Sequence, residues 1–241
     1  MKKTAKKAAK PRPKTVTLTN VEASQRVLAH LDEGRLVQGN WHTVHAGREL
    51  ACVLGSMDPA ISDPRDCPAS VMPAWLARLT VTLFDRQKDA DAMAWARRYA
   101  GQMARWHVLD DAAWSRVDVA FRIACVETAM SRAEPASKDL AVWPRVKAAC
   151  EGVVTALRTG VGLAEAKSGA ASAAAFAAYA DSADSADYAA AAYAASADYA
   201  DYAFAAYANS ADSADSADSA EIAKALCDLI DAELATAEVR R

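Results

Sequence analysis

Residues 186–218 read ADYAAAAYAAS, ADYADYAFAAY and ANSADSADSAD, three eleven-residue blocks that open at Ala186, Ala197 and Ala208. Alanine fills the first, fourth, seventh and tenth place of every block. A strict triplet of alanines would slip by about 60° every three residues around an α-helix. Eleven residues in three turns corrects the slip, at about 3.67 residues per turn, close to a relaxed helix. Places one, four and eight then form a straight seam, whose members are Ala186, Ala189, Tyr193, Ala197, Ala200, Phe204, Ala208 and Ala211. Such a methyl-lined strip, anchored by an occasional aromatic ring, predicts close approach of another helix. That helix belongs to the body of the chain, to a second copy, or to another stretch of the repeat folded back. Tyr188, Tyr199 and Tyr202 fall on the opposite side.

The repeat extends outward from these blocks. From Ala170 to Ala220, 26 of 51 residues are alanine, and neither Gly nor Pro interrupts. Alanine has the best helix propensity, and it opposes the aspartates and serines that compete for backbone hydrogen bonds. The acidic triplets of 212–218 read as solvated helix surface or as a frayed region. The large apolar residues that can build a core lie upstream, at about 15–160, where all six tryptophans are found.

That upstream segment reads as helices. Thr19-Asn20-Val21-Glu22 fits a capping box, with Thr at the N-cap and Glu at N3. It opens a helix to about Glu33, with Gly34 as its stop and Val21, Leu28 and Leu31 facing inward, with Val27 beside them. A second helix is expected over 47–57, carrying Leu50, Val53 and Leu54. Asp58 to Pro68 is a breaker-rich loop, and Pro73 suits the first position of a helix over 74–83. Asp89 or Asp91 can cap a helix with the stripe Ala92, Ala96, Tyr99, Met103 and Trp106. Asp110 can cap the next, with Trp114, Val117, Phe121, Ala124 and Thr128 on one face, ending before Pro135. A further helix starts at Ser137 or Asp139, runs through Trp143, Val146, Cys150, Val153 and Leu157, and stops at Gly160 and Gly162. No segment sustains a two-residue alternation, so strands are not expected. The fold class is all-α: a basic tail at 1–14 that cannot bury anything, a helical globular body at 15–162, and an alanine-rich helix or helical hairpin with the C-terminal helix at 163–241.

Charge is segregated along the 241 residues. The net charge is −3, but residues 1–14 hold seven cations and no acid, namely Lys2, Lys3, Lys6, Lys7, Lys10, Arg12 and Lys14. Residues 169–221 hold nine acids and no cation. Such a tail can contact nucleic-acid phosphates with strong salt dependence. The five cysteines lack CxxC spacing and read as reduced, mostly buried thiols. No apolar run reaches the roughly 18 residues of a membrane span, and the cationic N-terminus lacks the apolar stretch of a secretory signal. A cytoplasmic location is the expectation.

Only one polar cluster resembles chemistry: His42, His45, Glu49 and Cys52. In a helix, His45 and Glu49 would share a face. Zinc needs three or four converging ligands, and neither HExxH nor paired CxxC completes a set. Cys52 lies among Leu50, Val53 and Leu54 like a core thiol. A metal-dependent or cysteine hydrolase around His42, His45 and Cys52 is therefore an alternative reading. The sequence suggests no catalytic, cofactor-binding or metal-ligating residue in its leading reading.

Gly39-Asn40-Trp41-His42, Ala51-Cys52-Val53-Leu54-Gly55-Ser56, Asp66-Cys67-Pro68 and Met72-Pro73-Ala74-Trp75-Leu76-Ala77 resemble a family of tailed-phage and prophage proteins, in which such a body precedes alanine-rich triplet repeats. The repeat alone is also similar to alanine-rich helical pairs of bacterial immunity-type proteins. The resemblance covers about residues 25–220. It implies a host-cytoplasm setting and an accessory or host-interaction role, and carries over no catalytic residue. The leading expectation is a non-enzymatic, protein-binding phage accessory protein. Its repeat would join copies into a homo-oligomer or capture a host protein, a defence component among the candidates. A nucleic-acid-associated protein acting through the basic tail is the alternative.

Overall fold

In the computed structural model, residues 17–137, 141, 143–178 and 216–240 are described. The basic tail at 1–14 and the whole seam from Ala186 to Ala211 lie outside the described residues. What remains is all-α apart from one small hairpin.

Helix α1 spans Asn20–Asp32, and both halves of its capping box form: Glu22 N donates to Thr19 Oγ1 at 3.2 Å, and Thr19 N donates to Glu22 Oε2 at 2.9 Å. Its end is a Schellman motif around Gly34, whose φ is +61°, with Arg35 N donating to the His30 carbonyl at 2.7 Å. The buried stripe differs from expectation. Val27 is buried and Leu28 and Leu31 pack partly buried against the core as expected, but Val21 is 45% exposed, and Asn20, Ala23 and Ser24 are buried instead. Asn20 can go inside because its Nδ2 donates to the Val71 carbonyl at 2.7 Å, which removes the cost of burying an unpaired amide.

The expected helix over 47–57 is instead two elements, and strands do occur. Strands β1 (His42–His45) and β2 (Arg48–Ala51) pair antiparallel, with His45 opposite Arg48 and Val44 opposite Glu49. The turn between them is Ala46-Gly47, with φ of 50° and 76°. Two consecutive positive φ values make the tight turn that suits twisted hairpins. Only then does a short helix α2 begin, at Val53–Met57.

Helices α3 (Ala74–Arg86), α4 (Asp89–Met103) and α5 (Asp111–Ser137) form the centre of the body. Pro73 is the N-cap residue of α3 rather than its first helical position, and Lys88 holds that place in α4, without a side-chain cap bond. The expected stripe of α4 is buried in full: Ala92, Ala96, Tyr99 and Met103 along the helix, and Trp106 in the 3-10 turn Trp106–Val108 that follows. Asp110 caps α5, accepting from Ala113 N at 2.8 Å. The α5 helix runs past Pro135 to Ser137. A proline in the last turn forfeits one hydrogen bond there without ending the helix at once. Its buried face includes Trp114, Val117, Phe121, Cys125, Val126 and Ala129, whereas Ala124 and Thr128 are half-buried.

A row of aromatic rings runs through this core. Phe84, Trp95, Tyr99, Trp106, Trp114 and Trp75 follow one another with centroids 6.5, 4.5, 4.9, 5.3 and 6.5 Å apart. Trp95 and Tyr99 stack, and the next three pairs meet edge to face, the geometry that aromatic quadrupoles favour. Tyr99 satisfies its hydroxyl on Thr80 Oγ1 at 2.6 Å, and that threonine donates onward to the Leu76 carbonyl.

Helix α6 spans Trp143–Thr159 and α7 Leu163–Ala178. Gly160 (φ +71°) and Gly162 (φ +70°) reverse the chain between them, so the two pack as a helical hairpin. Helix α8 is Ser216–Val239 and packs on α3, α4 and α5. Ala170 and Ala173 of α7, and Ile222, Leu226, Cys227, Ile230 and Leu234 of α8, are buried in the same apolar cluster as the aromatic row.

Candidate functional site

The hairpin decides the fate of the polar cluster. His42 and Glu49 sit on neighbouring strands, with His42 Nδ1 3.7 Å from Glu49 Oε1. The other ring nitrogen of His42 is 3.1 Å from the Ile61 carbonyl. A carbonyl only accepts, so Nε2 carries the proton, and Nδ1 is buried without a hydrogen-bond partner. His45 lies at the end of β1 and is exposed. It does not share a helical face with Glu49, because neither residue is in a helix.

Cys52 occupies the N-cap of α2, and its Sγ accepts from Gly55 N at 3.4 Å. Burial raises its pKa, against the pull of that N–H. A nucleophilic cysteine needs thiolate, and this thiol is held neutral. Burial likewise pushes the thiols of Cys67, Cys150 and Cys227 up to about 12. Among the described residues no group of three His, Cys, Asp or Glu side chains is arranged to hold a metal ion. Gly55 explains why this corner is so tightly built: a Cβ there would stand 2.2 Å from the Trp41 carbonyl oxygen and 3.2 Å from the His42 ring. The Trp41-His42 and Cys52-to-Ser56 motifs thus meet in space as a packing unit.

A cleft of about 480 Å³ opens where α1 and α5 begin, walled by Val71, Trp106, Leu109 and Trp114, with His107 and Asp111 at its edge. Some of its polar groups have partners within the chain, but the buried Trp106 Nε1 has none among the described residues. The Asn20 amide is held by Val71, and His107 Nδ1 is 3.1 Å from the Ala104 carbonyl.

The most ordered set of polar contacts lies elsewhere, along α8. Arg98 on α4 reaches both Asp228 and Asp231 at 2.7 Å. Arg105 reaches Glu238 at 2.6 Å, Arg116 reaches Glu233 at 2.7 Å, and Arg132 reaches Glu221 at 3.3 Å. Two buried side chains of α4 read the backbone of α8 itself: Trp95 Nε1 donates to the Ala223 carbonyl at 3.1 Å, and Gln102 Nε2 to the Cys227 carbonyl at 2.8 Å. Those carbonyls are four residues apart, about one turn along α8, while Trp95 and Gln102 are seven apart, about two turns along α4. Sequence reasoning missed this groove. Its signal was present in the alternation of large apolar and acidic residues over 221–238, where the repeat's small residues give way to Ile222, Leu226, Ile230 and Leu234.

The ends of the repeat share one side of the body. Arg132 and Arg116 of α5 meet Glu221 and Glu233 of α8, so these helices are antiparallel and α8 begins beside the last turns of α5. Glu134 and Glu127 meet Lys147 and Arg158, so α6 also starts there and runs back. The turn at 160–162 then sends α7 towards that same end. Residues 179–215 thus join two helices that are each seated in the body.

Compared with known proteins, the chain finds no counterpart: no family model matches it, and neither a curated protein nor a solved structure does. Among the described residues no helix is long and apolar enough to cross a membrane.

Proposed function

We propose that this chain is a non-enzymatic helical protein-interaction module, which joins a protein partner through the methyl-lined seam of residues 186–211. The observation that carries this reading is the attachment of the repeat: α7 and α8, on either side of residues 179–215, both contribute side chains to the body's apolar core and start or finish at one end of it. A body that grips both ends of an alanine-rich insert supports a role for the insert as a presented element. Small side chains in register every eleven residues support close helix-to-helix contact, since the distance between packed helices is set by the side chains at the contact. The partner is a second copy of the chain or a host protein, and the resemblance to proteins of tailed phages and prophages supports a role inside a bacterial host.

The seam is tested by changing Ala189, Ala200 and Ala211 together to Leu in the full chain. Leucine keeps helix propensity high while filling the strip. Size-exclusion chromatography with light scattering is expected to show an assembly of the wild-type chain that the variant loses, with helical circular dichroism retained. A wild-type chain that is monomeric at every concentration, and a variant indistinguishable from it, would remove self-association as the role of the seam.

A further inference from the structure

We propose that the cleft where α1 and α5 begin is a binding site for a small, neutral, planar ring bearing a carboxamide, whose carbonyl oxygen accepts from Trp106 Nε1. The site lies wholly in the body and does not need the seam.

Trp106 lines the cleft with 2% of its surface exposed, and its Nε1 has no hydrogen-bond partner among the described residues. Burying an indole N–H without an acceptor forfeits its hydrogen bond to water, and buried tryptophans usually find a partner. Trp95, in the same aromatic row, finds the Ala223 carbonyl. Beside Trp106 the row offers rings instead: Tyr99 and Trp114 meet it at 79° and 87°, and an aromatic face is a weak acceptor. The other two buried polar atoms without a partner, His42 Nδ1 and Gln102 Oε1, belong to residues that do not line this cleft. Two further donors on its wall are already used. Asn20 Nδ2 donates to the Val71 carbonyl at 2.7 Å, and Ser70 Oγ to the Leu18 carbonyl at 3.2 Å.

Around this unmatched donor the walls are apolar, from Val71, Pro73, Leu109 and Trp114, and they enclose about 480 Å³. An apolar recess of that size with a few polar groups is the usual form of a small-molecule site. The rim has the opposite polarity. Asp111 is exposed there, and an ionised carboxylate only accepts. His107 Nδ1 is 3.1 Å from the Ala104 carbonyl, so Nδ1 carries the proton and Nε2 is the acceptor of the neutral ring. Negative charge at the rim repels a carboxylate or phosphate, so the acceptor for Trp106 is a neutral carbonyl. Acceptors at the rim suit N–H groups on the same ligand. An aromatic carboxamide combines all three: a flat ring for the apolar walls, a carbonyl for the indole, and an amide N–H for the rim.

The test titrates the full-length, nitrogen-15-labelled chain with benzamide, and with toluene as the matched ring without an amide. The six tryptophans give six indole N–H signals. That of Trp106 is assigned through its own backbone amide, with its loss in Trp106→Phe as a check. Benzamide is expected to move this signal downfield in a saturable way, as an N–H does on gaining an acceptor, and toluene is not. Ala69→Phe, at an exposed position on the cleft wall, fills the space without touching the core and is expected to weaken benzamide binding by about tenfold. Asp111→Ala is expected to weaken it less. A Trp106 signal that stays in place up to the solubility limit of benzamide, that moves equally with toluene, or that moves unchanged in the Ala69→Phe chain overturns the site. Leucines that fill the seam leave these shifts as they are, so the two readings fail separately.

Discussion

Helices α7 and α8 flank the same alanine-rich tract, yet the body holds them by different means. Along α7, LAEAKSGAASAAAFAA, the buried described side chains are Ala170 and Ala173, with Leu163 and Ala166 partly covered. Along α8 the body covers Ile222, Leu226, Cys227, Ile230 and Leu234, pairs four arginines with five acids, and bonds two carbonyls from Trp95 and Gln102. Alanine brings strong helix propensity but little area to bury. Leucine and isoleucine each bring about 1.5–3 kcal/mol of burial. Helicity and anchoring are thus separate properties of the two flanking helices: alanines supply the first along α7, and large apolar residues supply the second along α8.

The largest effect that sharpens this contrast is Leu226→Ala. Leu226 has no exposed surface, and truncating a fully buried leucine costs about 2–5 kcal/mol. Urea denaturation followed by circular dichroism is expected to show that loss, and a change below about 1 kcal/mol would erase the distinction between the two helices. Next comes Trp95→Phe, which keeps an aromatic ring, though a smaller one, and removes the bond to the Ala223 carbonyl. The expected cost is about 0.5–1.5 kcal/mol for the hydrogen bond, with a packing loss added where the rest of the indole stood. Amide exchange should localise it to α8. Ala173→Gly on α7 follows, at about 1 kcal/mol from propensity alone. If that glycine proved more damaging than Leu226→Ala, α7 would be the principal anchor and the comparison would be inverted.

How much of this was legible depended on whether the deciding interaction was local. The capping box at Thr19 and Glu22, the Asp110 cap, the Gly160 stop and the stripe from Ala92 to Trp106 could all be read, because each is written within a few residues. The hairpin could not. His42–Ala51 offers four-residue strands of mixed polarity around an Ala-Gly turn, and its stability comes from long-range neighbours: the Ile61 carbonyl on His42 and the bonds joining Ala51 to Arg35 and Val37. Once it is a hairpin, the helical spacing that brought His45 and Glu49 together no longer exists. Val21 was misplaced for a similar reason. Helix periodicity admits it to the inner stripe, but a hydrogen bond from residue 20 to residue 71 turns the helix so that Asn20 goes in. The groove for α8 is the extreme case, since its contacts join residues up to 133 positions apart.

The smallest effect concerns the acids of α8, and its sign can be worked out. The hydrogen bond from Arg116 holds the Glu233 carboxyl below its ordinary value. Lys224 does the same for Asp228, with Arg98 adding to it. In the unfolded chain such groups titrate near about 4. A carboxyl whose pKa is depressed by folding contributes stability that is present above the unfolded value and lost as pH falls through the folded one, because the unfolded state then binds more protons. These pairs are partly exposed, and exposed ion pairs contribute little, so the effect at neutral pH is slight. It becomes visible as a slope. Urea midpoints measured from about pH 6 down to about pH 3 are expected to fall more steeply for the wild-type chain than for Asp228→Asn/Glu233→Gln, whose two acids no longer titrate. Parallel slopes would mean that the charges along α8 orient the helix without holding it, leaving the buried leucines and isoleucines and the Trp95 and Gln102 bonds as its attachment.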